Sequence, residues 1–114
     1  MQYVMLIHEK PGLLNDIADE QRQAIPGEYY AITSDPRVTP GVWMKPADAA
    51  TTVRVNQCQL LVTDGPFADT KEVFGGYFVL EANNLDEAIE IAARVPQARF
   101  GGSVEIRPGV EQQR

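Results

Sequence analysis

The densest group of chemistry-bearing side chains lies in residues 63–77, "TDGPFADTKEVFGGY". Asp64, Asp69 and Glu72 are carboxylates able to move protons or bind cations, and Lys71 can hold an anion. Leu60, Val62 and Asp64 alternate onto one face of a strand, so Asp64 stands at its end beside the Gly65–Pro66 turn. There it either caps the turn through backbone N–H groups or sits at the rim of a pocket as an acid or base. His8 is the only histidine. Histidine is the residue type that titrates near neutrality unaided, which makes His8 the natural general acid or base, with Asp64 as its companion. Arg54 or Lys71 would hold an anionic group, and Tyr77 and Phe67 would line the wall. His8, Glu9, Asp64, Asp69 and Glu72 are suitable metal ligands by type, but no HExxH or EF-hand spacing orders them. No GxSxG nucleophile motif and no GxGxxG loop is present. No metal and no cofactor is therefore expected.

The elements that must position these groups are legible in outline. Residues 2–8, "QYVMLIH", place Tyr3, Met5 and Ile7 on one face and Val4, Leu6 and His8 on the other. A strand apolar on both faces needs cover on both. Ile17, Ala18, Gln21, Ala24 and Ile25 form a helical stripe that Asn15 or Asp16 can cap and that Pro26 should break, with Tyr29, Tyr30 and Ile32 beginning a second piece. "SDPRVTPG" reads as a loop and 42–45 as a short strand. Residues 51–55 and 59–63 read as a hairpin around Asn56 and Gln57. A long loop over 64–76 follows, pinned by Phe67 and Phe74, with Asp69 and Glu72 at the spacing of one short helical turn. Residues 76–82 form the next strand. "NNLDEAIEIAARV" is a helix capped by Asn84, with Leu85, Ala88, Ile89 and Ala92 as its apolar stripe. The last strand is 103–107, and 110–114 is a frayed tail. Without the hairpin the order is βαββαβ, the ferredoxin-like α+β arrangement. Its helices cover one sheet face, which leaves the other for a second copy.

Composition narrows the classes. The chain has 114 residues, a net charge of −6 and 44% hydrophobic residues. That suits one globular domain over 1–114 and argues against nucleic acid, which needs clustered basic residues. One cysteine, Cys58, permits no internal disulfide. The start lacks the basic region and cleavage site of a signal peptide, and no apolar run reaches the roughly 20 residues of a membrane span. The expectation is a cytoplasmic homodimer with no membrane attachment.

"DGPFADTKE" followed by "GGY" resembles the DGPF-domain branch of the YCII-related family. The resemblance is close over residues 51–108 and looser over "YVMLIH". It implies a ferredoxin-like fold that dimerises through its sheets as a dimeric α/β barrel, similar in shape to small monooxygenases and muconolactone isomerases. It also implies enzymatic activity through a His–Asp pair in a pocket. That pair's histidine has no counterpart here by motif, so His8 and Asp64 are candidates by position. Two functions follow. One is a small-molecule-binding protein or cofactor-independent enzyme of isomerase or lyase type, its pocket between the dimer sheet and the 64–76 loop. The other is a regulatory or interaction module tied to extracytoplasmic-function sigma factors, in line with that branch's association.

Overall fold

The computed structural model describes residues 1–110; residues 111–114 of the expected frayed tail lie outside the described residues. The chain order is β1 (Gln2–Glu9), α1 (Leu13–Asp16), α2 (Asp19–Thr33), β2 (Val38–Trp43), β3 (Thr51–Asn56), β4 (Gln59–Asp64), β5 (Val73–Glu81), α3 (Leu85–Ala92) and β6 (Ser103–Pro108). Four strands form an antiparallel sheet in the order β2-β5-β1-β6, and β3-β4 stand apart as a two-stranded hairpin. This is the ferredoxin-like α+β fold with an inserted hairpin.

Strand β1 is central. Tyr3, Met5 and Ile7 are buried against Ile32 of α2, Ala88 and Ile91 of α3, and Phe78 and Leu80 of β5. Val4, Leu6 and His8 are only half-buried, because no helix among the described residues packs over their face. Register places Tyr77 opposite Leu6, Val79 opposite Val4, and Glu105 and Arg107 on the β6 side of the same face. The molecule measures 47 × 46 × 19 Å, its thin axis being one sheet plus one helix layer. Its radius of gyration of 16.3 Å exceeds the roughly 13 Å of a compact chain this long, because the hairpin projects as an arm. Val53, Val55, Leu60 and Val62 share one face of that arm and are all more than half exposed.

Several local expectations change. The helix does not break at Pro26: α2 runs through it, since Pro26 and Gly27 lie on the exposed side where the freed carbonyl can be hydrated. Neither Asn15 nor Asp16 caps it. Ala18 is the N-cap, and the Gln21 side chain accepts from its N–H at 3.1 Å. The separate turn α1 precedes it, and Arg22 ties the two by donating to the carbonyls of Leu14 and Ile17. The buried stripe of α3 is Ala88, Ile91 and Ala92; Leu85 and Ile89 are about half exposed. Its cap is as expected, with Asn84 Oδ1 accepting from Glu87 N–H at 3.0 Å. Strand β2 begins at Val38, inside the expected loop. It carries Pro40, which an edge strand tolerates because its outer N–H needs no partner. The hairpin turn is Gln57–Cys58 rather than Asn56–Gln57. Both have positive φ, as a two-residue hairpin turn requires. Among the described residues no helix is long and apolar enough to cross a membrane.

Asp35 locks the end of α2 to the start of β2. Its carboxylate accepts from Arg37 Nη2 at 2.8 Å and Arg94 Nη2 at 3.4 Å, and only 11% of its side chain is exposed. The hydrogen bonds from Arg37 hold its carboxyl well below the usual carboxylate range. A folded-state pKa below the unfolded value contributes stability that is present above about pH 4 and is lost as pH falls further. Asp35→Asn is expected to cost roughly 1.5–3 kcal/mol at pH 7 in urea denaturation. The cost should shrink below pH 4; a pH-independent difference would contradict the ion-pair account.

Candidate functional site at the end of the central strand

The end of β1 points its last two side chains to opposite faces. His8 emerges on the bare sheet face, and Glu9 on the helix side. The chain leaves the sheet after Glu9, and the residues around His8 come from three places: β6, the segment after β4, and the start of β5.

His8 Nε2 lies 3.2 Å from Glu105 Oε1, and Arg107 Nε lies 3.1 Å from Glu105 Oε2. A carboxylate accepts, so Nε2 is the ring nitrogen placed to donate to Glu105, and Nδ1 is left out of this contact. Arg107 donates to the other Glu105 oxygen and so helps orient the carboxylate. The Phe74 ring meets His8 edge-on, with centroids 5.9 Å apart, and limits its rotation. The His8 side chain is 27% exposed, dry enough to be oriented and open enough to reach a ligand.

Two recesses flank His8. One, of about 810 Å³, is bounded by Lys10, Lys71, Glu72, Ser103 and Glu105. The other, of about 610 Å³, runs under Phe67, Asp69, Thr70 and Phe74 toward Ala47 and Thr51. Their shared wall is His8, Thr70 and Glu72. The segment between β4 and β5 is residues 65–72, shorter than expected because β4 extends to Asp64 and β5 starts at Val73. No helical turn forms at Asp69–Glu72. Glu72 instead accepts from Ser103 Oγ at 3.0 Å, which fastens the segment to β6. Its other end is held by Gly65 N–H on the Ala50 carbonyl at 2.7 Å and by Thr52 Oγ1 on the Gly65 carbonyl at 2.8 Å. Phe67 is no anchor: it is 77% exposed.

The expected site residues are thus only partly gathered. His8, Lys71 and Phe67 line the recesses. Tyr77 stands two residues from His8's register on the same bare face, opposite Leu6. Asp64 lines neither recess. It pairs with Thr51 at the base of the arm, exposed, with no side-chain hydrogen bond among the described residues, so the turn-capping reading is not what the structure shows either. Arg54 is farther out on the arm. Glu105, the closest charged companion of His8, was not singled out in the sequence. Its signal was available: in "SVEIR" it shares a strand face with Arg107, and β6 borders β1. Among the described residues no three His, Cys, Asp or Glu side chains gather as a metal centre would.

An uncharacterised protein of Rhizobium meliloti strain 1021 is 28% identical over 113 residues, covering 95% of this chain and 91% of its own. Among solved structures, the chain resembles 5-chloro-2-hydroxyhydroquinone dehydrochlorinase from Burkholderia phenoliruptrix AC1100, determined in complex with 2,5-dihydroxybenzoquinone. The TM-score is 0.56 at 15% identity, over 98% of this chain and 96% of that one. At that identity the likeness shows the fold. The YCII-related domain description matches residues 1–111. A ferredoxin-like sheet with one bare face and an inserted hairpin, matched from end to end, makes this chain a member of the YCII-related domain family.

Proposed function

We propose that the protein binds a small polar organic molecule at the His8 end of its bare sheet face and moves a proton on it without a cofactor. The observation that carries this is the His8–Glu105 pair, one nitrogen tethered and the other free, set between two recesses. Lys71 would receive an anionic group, and Phe67 and Tyr77 would supply apolar wall. A relative of the same fold whose structure holds a dihydroxybenzoquinone supports the small-molecule reading.

The proposal includes a second copy of the chain. The bare face carries Val4, Leu6, Tyr77 and Val79, and the arm adds four apolar side chains on one side. Exposed apolar surface of this kind marks an interaction site, and association would remove it from water. An isolated two-stranded hairpin is marginal in water, so the arm needs something to lie on. A second copy supplies it and closes the recesses from above. Arg54 and Asp64 ride on the arm, so they join a site only through the dimer.

Four outcomes are expected. Sedimentation equilibrium at micromolar concentration should give a dimer, and a monomer there would remove the closing wall. Asp64→Asn, with no hydrogen bond to lose, should leave unfolding free energy within about 0.5 kcal/mol. With 2,5-dihydroxybenzoquinone as the probe, the single histidine resonance should move on titration. For any substrate then found, His8→Gln should cut turnover by roughly 10²–10⁴-fold while the fold persists. Full turnover in that variant would sink the proton-transfer role.

A further inference from the structure

A further cavity of about 750 Å³ opens toward the helix side of the sheet, between α1, α2 and the end of β1, and adjoins the smaller recess along Met44, Ala47, Val73 and Phe74. Its wall holds Gln97, 7% exposed and the one buried polar side chain among the described residues. Tyr29 donates its hydroxyl hydrogen to Gln97 Oε1, and Gln97 Nε2 donates to Glu9 Oε1 at 3.0 Å. Burial pushes the Tyr29 phenol up, so it stays protonated and keeps donating. Trp43 closes the side, its ring edge-on to Tyr29 with centroids 4.8 Å apart.

The glycine pair Gly75–Gly76 acquires a meaning here. A Cβ on Gly75 would stand 2.7 Å from the Glu9 carboxyl carbon, and a Cβ on Gly76 would stand 2.6 Å from the Trp43 ring. Neither glycine has the positive φ that would demand glycine for its backbone. Their missing side chains make room for the carboxylate and the indole that face this cavity.

We infer that this cavity is a second binding site, for a hydroxylated aromatic compound. Beside the buried Gln97 the open polar atoms are acceptors, the remaining lone pairs of Glu9 and the Tyr29 oxygen whose hydrogen is already committed, while the donors Lys10, Asn15 and Lys45 belong to exposed lining residues. Acceptors call for a ligand that donates. Trp43 and Tyr29 offer flat apolar surface to a ring. Lys10 and Lys45 border the opening and disfavour a cationic donor, which favours a neutral one such as a hydroxyl. His8 lines no part of this cavity and points to the other face.

Trp43 is the only tryptophan, so its fluorescence reports this cavity alone. Catechol titrated into the protein should quench it saturably, with a Kd below about 1 mM. Glu9→Gln and Gly75→Ala should each weaken binding by about tenfold or more, the first by removing the charged acceptor and the second by displacing it with no change of charge. His8→Gln should leave binding unchanged, which separates this site from the one on the bare face. Should Gly75→Ala fail to fold by circular dichroism, Glu9→Gln decides alone. Three results would overturn the inference: quenching that never saturates, benzylamine binding more tightly than catechol, or wild-type affinity in the folded Glu9 and Gly75 variants.

Discussion

Strand β1 carries apolar side chains on both faces, and the helices of one chain can cover only one of them. Everything else in the molecule is arranged around that imbalance. Tyr3, Met5 and Ile7 take the helix layer and make the core, while Val4 and Leu6 are left under no cover. Hydrophobic burial scales with area removed from water, so the uncovered face is a standing drive toward association. The projecting arm, apolar along Val53, Val55, Leu60 and Val62, adds to it. The same alternation that divides the apolar residues sends His8 to the uncovered face and Glu9 to the covered one. One strand end thereby supplies a titratable group to each side of the sheet.

What keeps those two groups apart and oriented is the start of β5. Register slips by one residue between Ile7 and His8, which accommodates Gly75 as an extra residue. Phe74 then packs on His8 above the sheet, while Gly75 and Gly76 open space below it for Glu9 and Trp43. The elaborate segment after β4 is thus less a free loop than a wall. It is tied to β6 through Glu72 and Ser103 and to the start of β3 through Thr52, and it bounds both recesses beside His8.

The sequence made the framework legible where local signals agree. The alternation of β1 gave the division into two faces, though not which of them is core, Asn84 marked the start of α3, and the hairpin lies within one residue of its expected bounds. It misled where tertiary context overrides a local rule. Pro26 reads as a breaker, yet its solvent-facing position lets α2 continue. Pro40 hides an edge strand inside what reads as a loop. Phe67 reads as an anchor because it is aromatic, and it is exposed in one chain. For the site, His8 and Lys71 were visible by residue type. Glu105 was not, because its nearness to His8 depends on β6 lying beside β1, a pairing between residues 97 positions apart. Asp64 drew attention through its motif, but the arm carries it away from the recesses of its own chain.

The central claim is that a second copy covers the bare sheet face and closes the His8 site. An isotope-filtered NOE experiment on an equal mixture of carbon-13-labelled and unlabelled protein addresses it at the level of single methyl groups. The account predicts intermolecular contacts to the methyls of Val4, Leu6 and Val79. Their absence, with those methyls exposed to a soluble paramagnetic probe, would contradict it.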